Sequence, residues 1–543
     1  MAYAGDTAWS GAPKSTGAPA PYPGGYPAPH HASEGSASPA GRARVPTAPV
    51  IGSMQKEMVT LADETDGDAP KPECKDAVWG LLLAAAVVAE IFLAVAYGIP
   101  AINNSGGDVV PSSTGQGLST GALAGILVAC VAIAAIVSIL SMCCVTRCAE
   151  SLVRVTVFAS IALNVVLAVA SLFLSFGLSI LWLILAALGI CFWCSIRDRI
   201  PFAAAHLEIA GTAVRAHSMT LCWAYVSVAL AAAYALVWAV ATIGVFTSFA
   251  ASREAASTAS DSQQQPGAVE SVVYVLQILA LYWGTNFVRF SLHVVVSGTV
   301  GTWWAVRDPK DPTVGSIKRA WTTSCGSVSL AALLIAIIQT IRHLVRQAQR
   351  QAMQRGGMAA ACCLAMLHCL LRCIEDIARY ISSYALVRVA LFGEGFIEAG
   401  RATFNMFRER GWDAVLNDII IERTMMLLSF LVGALAGLVA AGIGYLATPG
   451  LAPDARGTAV LVAGLCGLVL GVACSSIVSV VVDSGVKTIF VAFAEQPDGL
   501  RNHHPELFRK LLEAWAAFYP EELAASGYAD RYHVGNPAGN AGP

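Results

Sequence analysis

The sequence predicts an all-α membrane protein, a bundle of about ten transmembrane helices. Three observations carry that prediction. Of the 543 residues, 56% are hydrophobic and only 13% charged, about half the charged share of a soluble domain. Apolar runs repeatedly exceed the roughly 20 residues that cross a bilayer. Lipid admits only helices or closed barrels, and these runs are too long for strands.

Ala77 to Ile99, apolar except for Glu90, is the first span, and Gly121 to Thr146, which has no charge, is the second. Val155 to Ile196 is too long for one crossing and reads as two helices joined by a tight turn near Ser175, Phe176 and Gly177. Ser218 to Ser252 holds the fifth span, Ser271 to Val306 the sixth with Arg289 inside it, and Ala320 to Ile341 the seventh. Gly356 to Leu371 is a short eighth; Thr424 to Pro453 and Gly457 to Val482 are the ninth and tenth.

Lys and Arg orient the bundle, since cytoplasmic loops carry the positive excess. Lys71 and Lys75 precede the first span, Arg147 and Arg154 follow the second, and Arg197, Arg199 and Arg215 follow the fourth. Arg307, Lys310, Lys318 and Arg319 follow the sixth. On the other side Pro100 to Thr120 has none, and Ala251 to Glu270 only Arg253. The N-terminus is therefore expected in the cytosol. Arg342, Arg346, Arg350 and Arg355 resist this parity. The short eighth segment is interfacial, or the sixth helix is broken, or the seventh continues beyond the membrane. In "SIRDRIPFAAAHLE" the charges mark a cytosolic helix end, Pro201 starts a new helix, and Phe202, Ala205, Ile209 and Ala213 predict an amphipathic helix on the cytosolic face.

Residues 1–70, rich in Pro, Gly, Ala and Ser, read as a disordered cytosolic tail, residues 71–497 as the membrane domain, and 498–543 as a cytosolic C-terminal tail. Asn103 heads a glycosylation sequon, Asn103-Asn104-Ser105, in the first exoplasmic loop.

A net charge of −2 and the lack of a dense basic cluster argue against nucleic acid as a partner. No phosphate loop, nucleophile elbow or HExxH occurs, so no catalytic residues and no cofactor are expected. Cys362, Cys363, Cys369 and Cys373 with His368 do not converge on one helical face, so no metal site is expected. Glu375 and Asp376, followed by Arg379, read as a solvated helix face. The pairs Gly433/Gly437 and Gly467/Gly471, like Gly121/Gly125, have small-residue packing spacing, and Trp303 and Trp304 fit an interfacial aromatic belt.

Function is therefore sought among polar groups inside the bilayer, where an ionised side chain costs about 2.5 to 3.5 kcal/mol on insertion scales. Glu90 shares a helical stripe with Ala86, Ala94 and Tyr97. In the sixth span Tyr282, Asn286, Arg289, His293 and Ser297 recur on one face, and Arg289 is the expected counter-ion of Glu90. Two readings stand: a buried ion pair that holds helices together, or a substrate pathway formed by Glu90, Tyr97, Tyr282, Asn286, Arg289 and His293.

The segments "RIPFAAAHLE", "VVVSGTVGTWW", "RAWTTSCGSVSLAALLIAIIQTIR", "CCLAMLHCLLRCIEDIARYISSYALVRVALFGEGFIEAGRATFNMF", "VLNDII" and "VVDSGVKTIFVAFAEQP" occur in this order. Together they resemble the choline transporter-like family. The resemblance implies ten helices, cytosolic termini and carriage of choline and ethanolamine, with Asp483 as a motif position. The short Pro100–Thr120 loop resembles the shorter fungal and protist branch. Ser382 and Ser383 replace that family's asparagine-rich lead-in, and Glu398 stands where a cysteine is common. The expected function is transport of choline or a related small organic cation across a plasma membrane, by alternating access around a mid-membrane site; its partners are that cation and the bilayer. The competing readings are a transporter of a different solute and a non-transporting scaffold whose tail recruits partners.

Overall fold

The computed structural model describes residues 74–104, 136, 140, 149–172, 175–257, 267–307, 309–410, 413–447 and 453–532. The N-terminal tail, the second expected span apart from Ile136 and Leu140, and the pair Gly121/Gly125 lie outside the described residues.

The chain runs through α1 (Ala77–Leu93), a π-helical turn (Ala94–Gly98), α2 (Ile99–Asn104), α3 (Ala149–Ser171), α4 (Phe176–Ile196) and α5 (Ile200–Ala216). Then follow α6 (Met219–Ser257), α7 (Ala268–Ala305), α8 (Pro312–Trp321), α9 (Cys325–Gln354), α10 (Met358–Phe392), α11 (Phe396–Arg410), α12 (Asp413–Ala447) and α13 (Pro453–Glu495). Four short helices close it, α14 (Pro497–His503), α15 (Pro505–Phe518), α16 (Pro520–Ala525) and α17 (Tyr528–Arg531). Among the described residues nine helices are long and apolar enough to cross a membrane, and they match nine of the ten expected spans in order. The protein is an all-α, multi-pass membrane bundle. Leu81, Phe176 and Leu446 are 72%, 72% and 75% exposed, an apolar outer surface that acyl chains cover.

Local chemistry sets the breaks. Ser175 caps α4 by accepting from the Leu178 amide at 3.3 Å, which makes the turn expected between the third and fourth spans. Proline stands in the first turn of α5, α8, α14 and α15, where its missing N–H leaves no bond unmade. Gly393, at φ 65°, is the left-handed stop of α10.

α7 is the axle of the bundle: from Phe290 to Gly301 every residue is buried, with α6, α8, α9, α10 and α13 around it. α12 and α13 form the tightest pair. A Cβ on Gly467 would stand 2.5 Å from that of Ala440, and one on Gly471 2.7 Å from that of Ala436, so these glycines do serve close packing.

Several expectations are corrected. The eighth span is no short segment but the first part of α10, a continuous helix of 35 residues. α9 runs unbroken to Gln354 and carries Arg342, Arg346 and Arg350 on its extension; at 1.5 Å per residue its 30 residues exceed the hydrocarbon thickness. The continuing seventh helix thus accounts for the stray arginines. α5 does not rest its apolar side on lipid: Phe202, Leu207, Ile209 and Ala210 are buried against α13 and α15. Trp303 and Trp304 are no belt. Trp304 is fully buried and donates to the Gln496 carbonyl at 2.9 Å, and Trp303 stacks on His504 at 4.2 Å. Residues 497–531 are helical and dock on α5, α7 and α13.

Candidate functional site

Two polar groupings lie within the bundle. The first surrounds a cavity of about 550 Å³ between α1, the π turn, α6 and α7. Glu90, Gln277 and Ser248 give it polarity; Tyr97, Phe249 and Trp283 give it aromatic walls. The Glu90 side chain is buried, and the Gln277 amide is its hydrogen-bond partner. Thr242 donates to the Gln277 carbonyl oxygen at 3.0 Å, which turns the NH2 end of the amide toward the carboxylate. Oε2 of Glu90 has no protein partner. Trp283 is held by its indole N–H, which donates to the Ser329 carbonyl at 3.0 Å.

The backbone here is built for close approach. A Cβ on Gly98 would fall 2.6 Å from Val240 Cγ1, and one on Gly244 2.5 Å from Gly98 Cα. Two glycines therefore let the π turn lie directly on α6. The turn brings Tyr97 to the cavity that Glu90 also lines.

The second grouping is strung along α7. Tyr282 and Tyr274 both reach His343 on α9, at 3.4 and 3.3 Å. Asn286 donates to Gln339 at 2.7 Å, and Gln339 donates in turn to Glu375 at 2.8 Å. Glu375 also accepts from Arg379 at 2.8 Å and pairs with Arg342 at 2.9 Å. Glu375 is thus buried in an ion cluster rather than on a solvated face. His293 places Nε2 2.9 Å from the Ser383 carbonyl and Nδ1 2.7 Å from Ser484 Oγ. The carbonyl only accepts, so Nε2 carries a proton. Asp483 pairs with Lys487 at 2.6 Å.

The expected Glu90–Arg289 pair is not formed. The charges around Arg289 are Arg379, Asp483, Glu422 and Glu375, and twelve residues of α7 separate it from Gln277, about 18 Å of helix axis. The six expected residues therefore divide: Glu90 and Tyr97 line the cavity, whereas Tyr282, Asn286, Arg289 and His293 belong to the second grouping. Gln277, Thr242, Phe249 and Lys487 were missed; the amide of Gln277 in the apolar run Val272–Leu281 was the available signal. Asn103, the sequon residue, is exposed at the end of α2.

Residues 179–498 match the family model described as plasma-membrane choline transporter. The chain belongs to the choline transporter-like family. Its relatives include Protein PNS1 of Gibberella zeae, 27% identical over 333 residues that cover 60% of this chain and 60% of the relative. Protein PNS1 of Kluyveromyces lactis is 25% identical over 495 residues, 87% of this chain and 86% of that one. A CTL-like protein of Dictyostelium discoideum is 26% identical over 370 residues, 66% and 61% of the two chains. The chain thus spans about three fifths of the first relative's length. The family match takes in α5 to α13 and most of α4, with Gln277, Trp283, Arg289, His293 and Asp483, while Glu90 and Tyr97 precede it.

Proposed function

We propose that the protein transports choline or a closely related small organic cation, ethanolamine included, and that the Glu90 cavity is where the cation binds. The observation that carries this reading is a buried carboxylate, one oxygen of which has no protein partner, in the lining of a chamber walled by Tyr97, Phe249 and Trp283. A quaternary ammonium cannot donate a hydrogen bond, so a protein recognises it by negative charge and by aromatic faces, each worth about 0.5 to 2 kcal/mol. The cavity offers both. The family model's description supports the same substrate class.

In this reading Gln277, fixed by Thr242, aims the carboxylate, and the indole of Trp283, fixed by Ser329, aims a ring. The His293–Ser484 contact and the Asn286–Gln339–Glu375 chain tie α7 to α13, α9 and α10 and hold the walls in register. Residues 71–497 form the transporting body, both ends of the chain face the cytosol, and the plasma membrane is the proposed residence. Alternating access about α7 completes the cycle.

The test is uptake of radiolabelled choline into liposomes containing the purified protein. Saturable uptake, competed by unlabelled choline and ethanolamine but not by an unrelated cation, is expected. Glu90→Gln is expected to weaken choline recognition roughly tenfold or more, because a hydrogen-bonded or paired charge contributes about 1.5 to 3 kcal/mol. Wild-type protein without saturable uptake under any ion gradient refutes the transport reading. Glu90→Gln protein with unchanged KM and rate refutes the site.

A further inference from the structure

Arg289 is exposed although it stands in a buried run of α7, where its neighbours Asn286, Phe287, Val288, Phe290, Ser291, Leu292 and His293 are all buried. Residues three and four apart share a helical face, and both Asn286 and His293 on the face of Arg289 are covered. Its exposure therefore reports an internal, water-reachable crevice rather than the outer surface of the bundle. Among the described residues its guanidinium makes no hydrogen bond or ion pair, and its charged surroundings are Arg379, Asp483, Glu422 and Glu375. Arg379 and Asp483 keep 22% and 19% of their side-chain surface, so solvent reaches them too.

The local charges do not cancel. Arg342 and Arg379 share Glu375, and Lys487 takes Asp483. Arg289 is left without a close partner, an arrangement that hydrocarbon penalises and that marks a functional position when water replaces lipid. Two further atoms are unspent: Arg379 Nη1 is a buried donor with no partner, and Asp483 Oδ1 a buried acceptor with none.

We infer that this crevice between α7, α10 and α13 binds a phosphate group, as the free anion or as a phosphomonoester. A guanidinium presents a planar fork that fits two oxygens of one tetrahedral anion, and Arg289 has its whole fork available. Arg379, which keeps 22% of its side-chain surface, adds a second positive charge beside it. Asp483, also among the charges around Arg289, selects within the anion class: its negative charge disfavours a fully ionised anion and favours one that keeps a P–OH proton, which sulfate and acetate lack at neutral pH. An organic cation is repelled by Arg289. The site is thus opposite in sign to the Glu90 cavity and independent of the reading given for it.

The test uses the full-length wild-type protein in phospholipid-free detergent. Phenylglyoxal, which modifies water-accessible guanidinium groups, is applied while sodium phosphate is exchanged for chloride at constant ionic strength, and modification at Arg289 is quantified by peptide mass spectrometry. Saturable protection is expected, with labelling down about tenfold at ten times the half-protecting concentration, and weaker protection by sulfate and acetate. Asp483→Asn is expected to bring sulfate level with phosphate. Arg289 blocked in nanodiscs that contain phosphatidic acid, a phosphomonoester lipid, without added phosphate, yet reactive in detergent, assigns the phosphate to a lipid headgroup. Three results overturn the inference: Arg289 unreactive under both conditions, phosphate no more protective than chloride, or choline as protective as phosphate.

Discussion

The carboxylate of Glu90 is only as useful as its orientation, and that is set two residues away. Thr242 Oγ1 holds Gln277 Oε1, and Gln277 faces Glu90. Thr242→Val keeps the shape and removes the donor. The amide is then free to turn, and its carbonyl is repelled by the carboxylate. We expect a loss of about 1 kcal/mol in stability, the net contribution of a typical hydrogen bond, and a weaker choline KM with kcat little changed; a thermal melt and an uptake titration check both. Glu90 was legible in the sequence because a lone charge in an apolar run is conspicuous. Its partner was misassigned to Arg289 for a physical reason: charge complementarity says which groups attract, while the position along each helix decides which ones meet.

At the scale of elements, glycine marks where helices touch backbone to backbone. Gly98 and Gly244 do this where the π turn meets α6, and neither glycine has the four-residue spacing that flagged Gly433/Gly437 and Gly467/Gly471. Gly98→Ala forces α1 and α6 apart or strains the turn, at about 1 to 3 kcal/mol as for other overpacked sites. The expected result is a lower melting temperature and reduced choline uptake at normal expression, whereas Gly400→Ala, with open space around its Cβ, serves as a silent control. Helix existence was readable from apolar runs, helix ends less so. α9 and α10 both outrun their apolar segments, and there Arg342 of the one and Glu375 and Arg379 of the other find partners in one another.

Across the whole molecule, two distant parts of the chain meet at Arg388. It is buried, bonds both oxygens of Glu394 at 2.8 and 3.0 Å, and donates to Glu495 at 2.6 Å. The ends of α10 and α13 and the start of α11 are thereby held together. Arg388→Met leaves two largely covered carboxylates without their cation. A loss of about 3 to 5 kcal/mol is expected, as for other buried pairs broken from one side, read as a fall in thermal midpoint; the triple change with Glu394→Gln and Glu495→Gln should recover part of it. This convergence was not visible in the sequence, since Glu394 and Glu495 are 101 positions apart and nothing in either segment names the other. The multi-pass helical body was visible, because bilayer thickness imposes a length on every crossing.

The π turn at Ala94–Gly98 also changes how α1 is to be read. One extra residue per turn rotates everything beyond it by about 100° relative to an unbroken helix, so Glu90 and Asn103 do not belong to a single helical wheel. A shortening of the chain by one residue within Ala94–Gly98 would restore regular winding. It would swing Asn103 to a different bearing around the bundle while leaving Glu90 where it is.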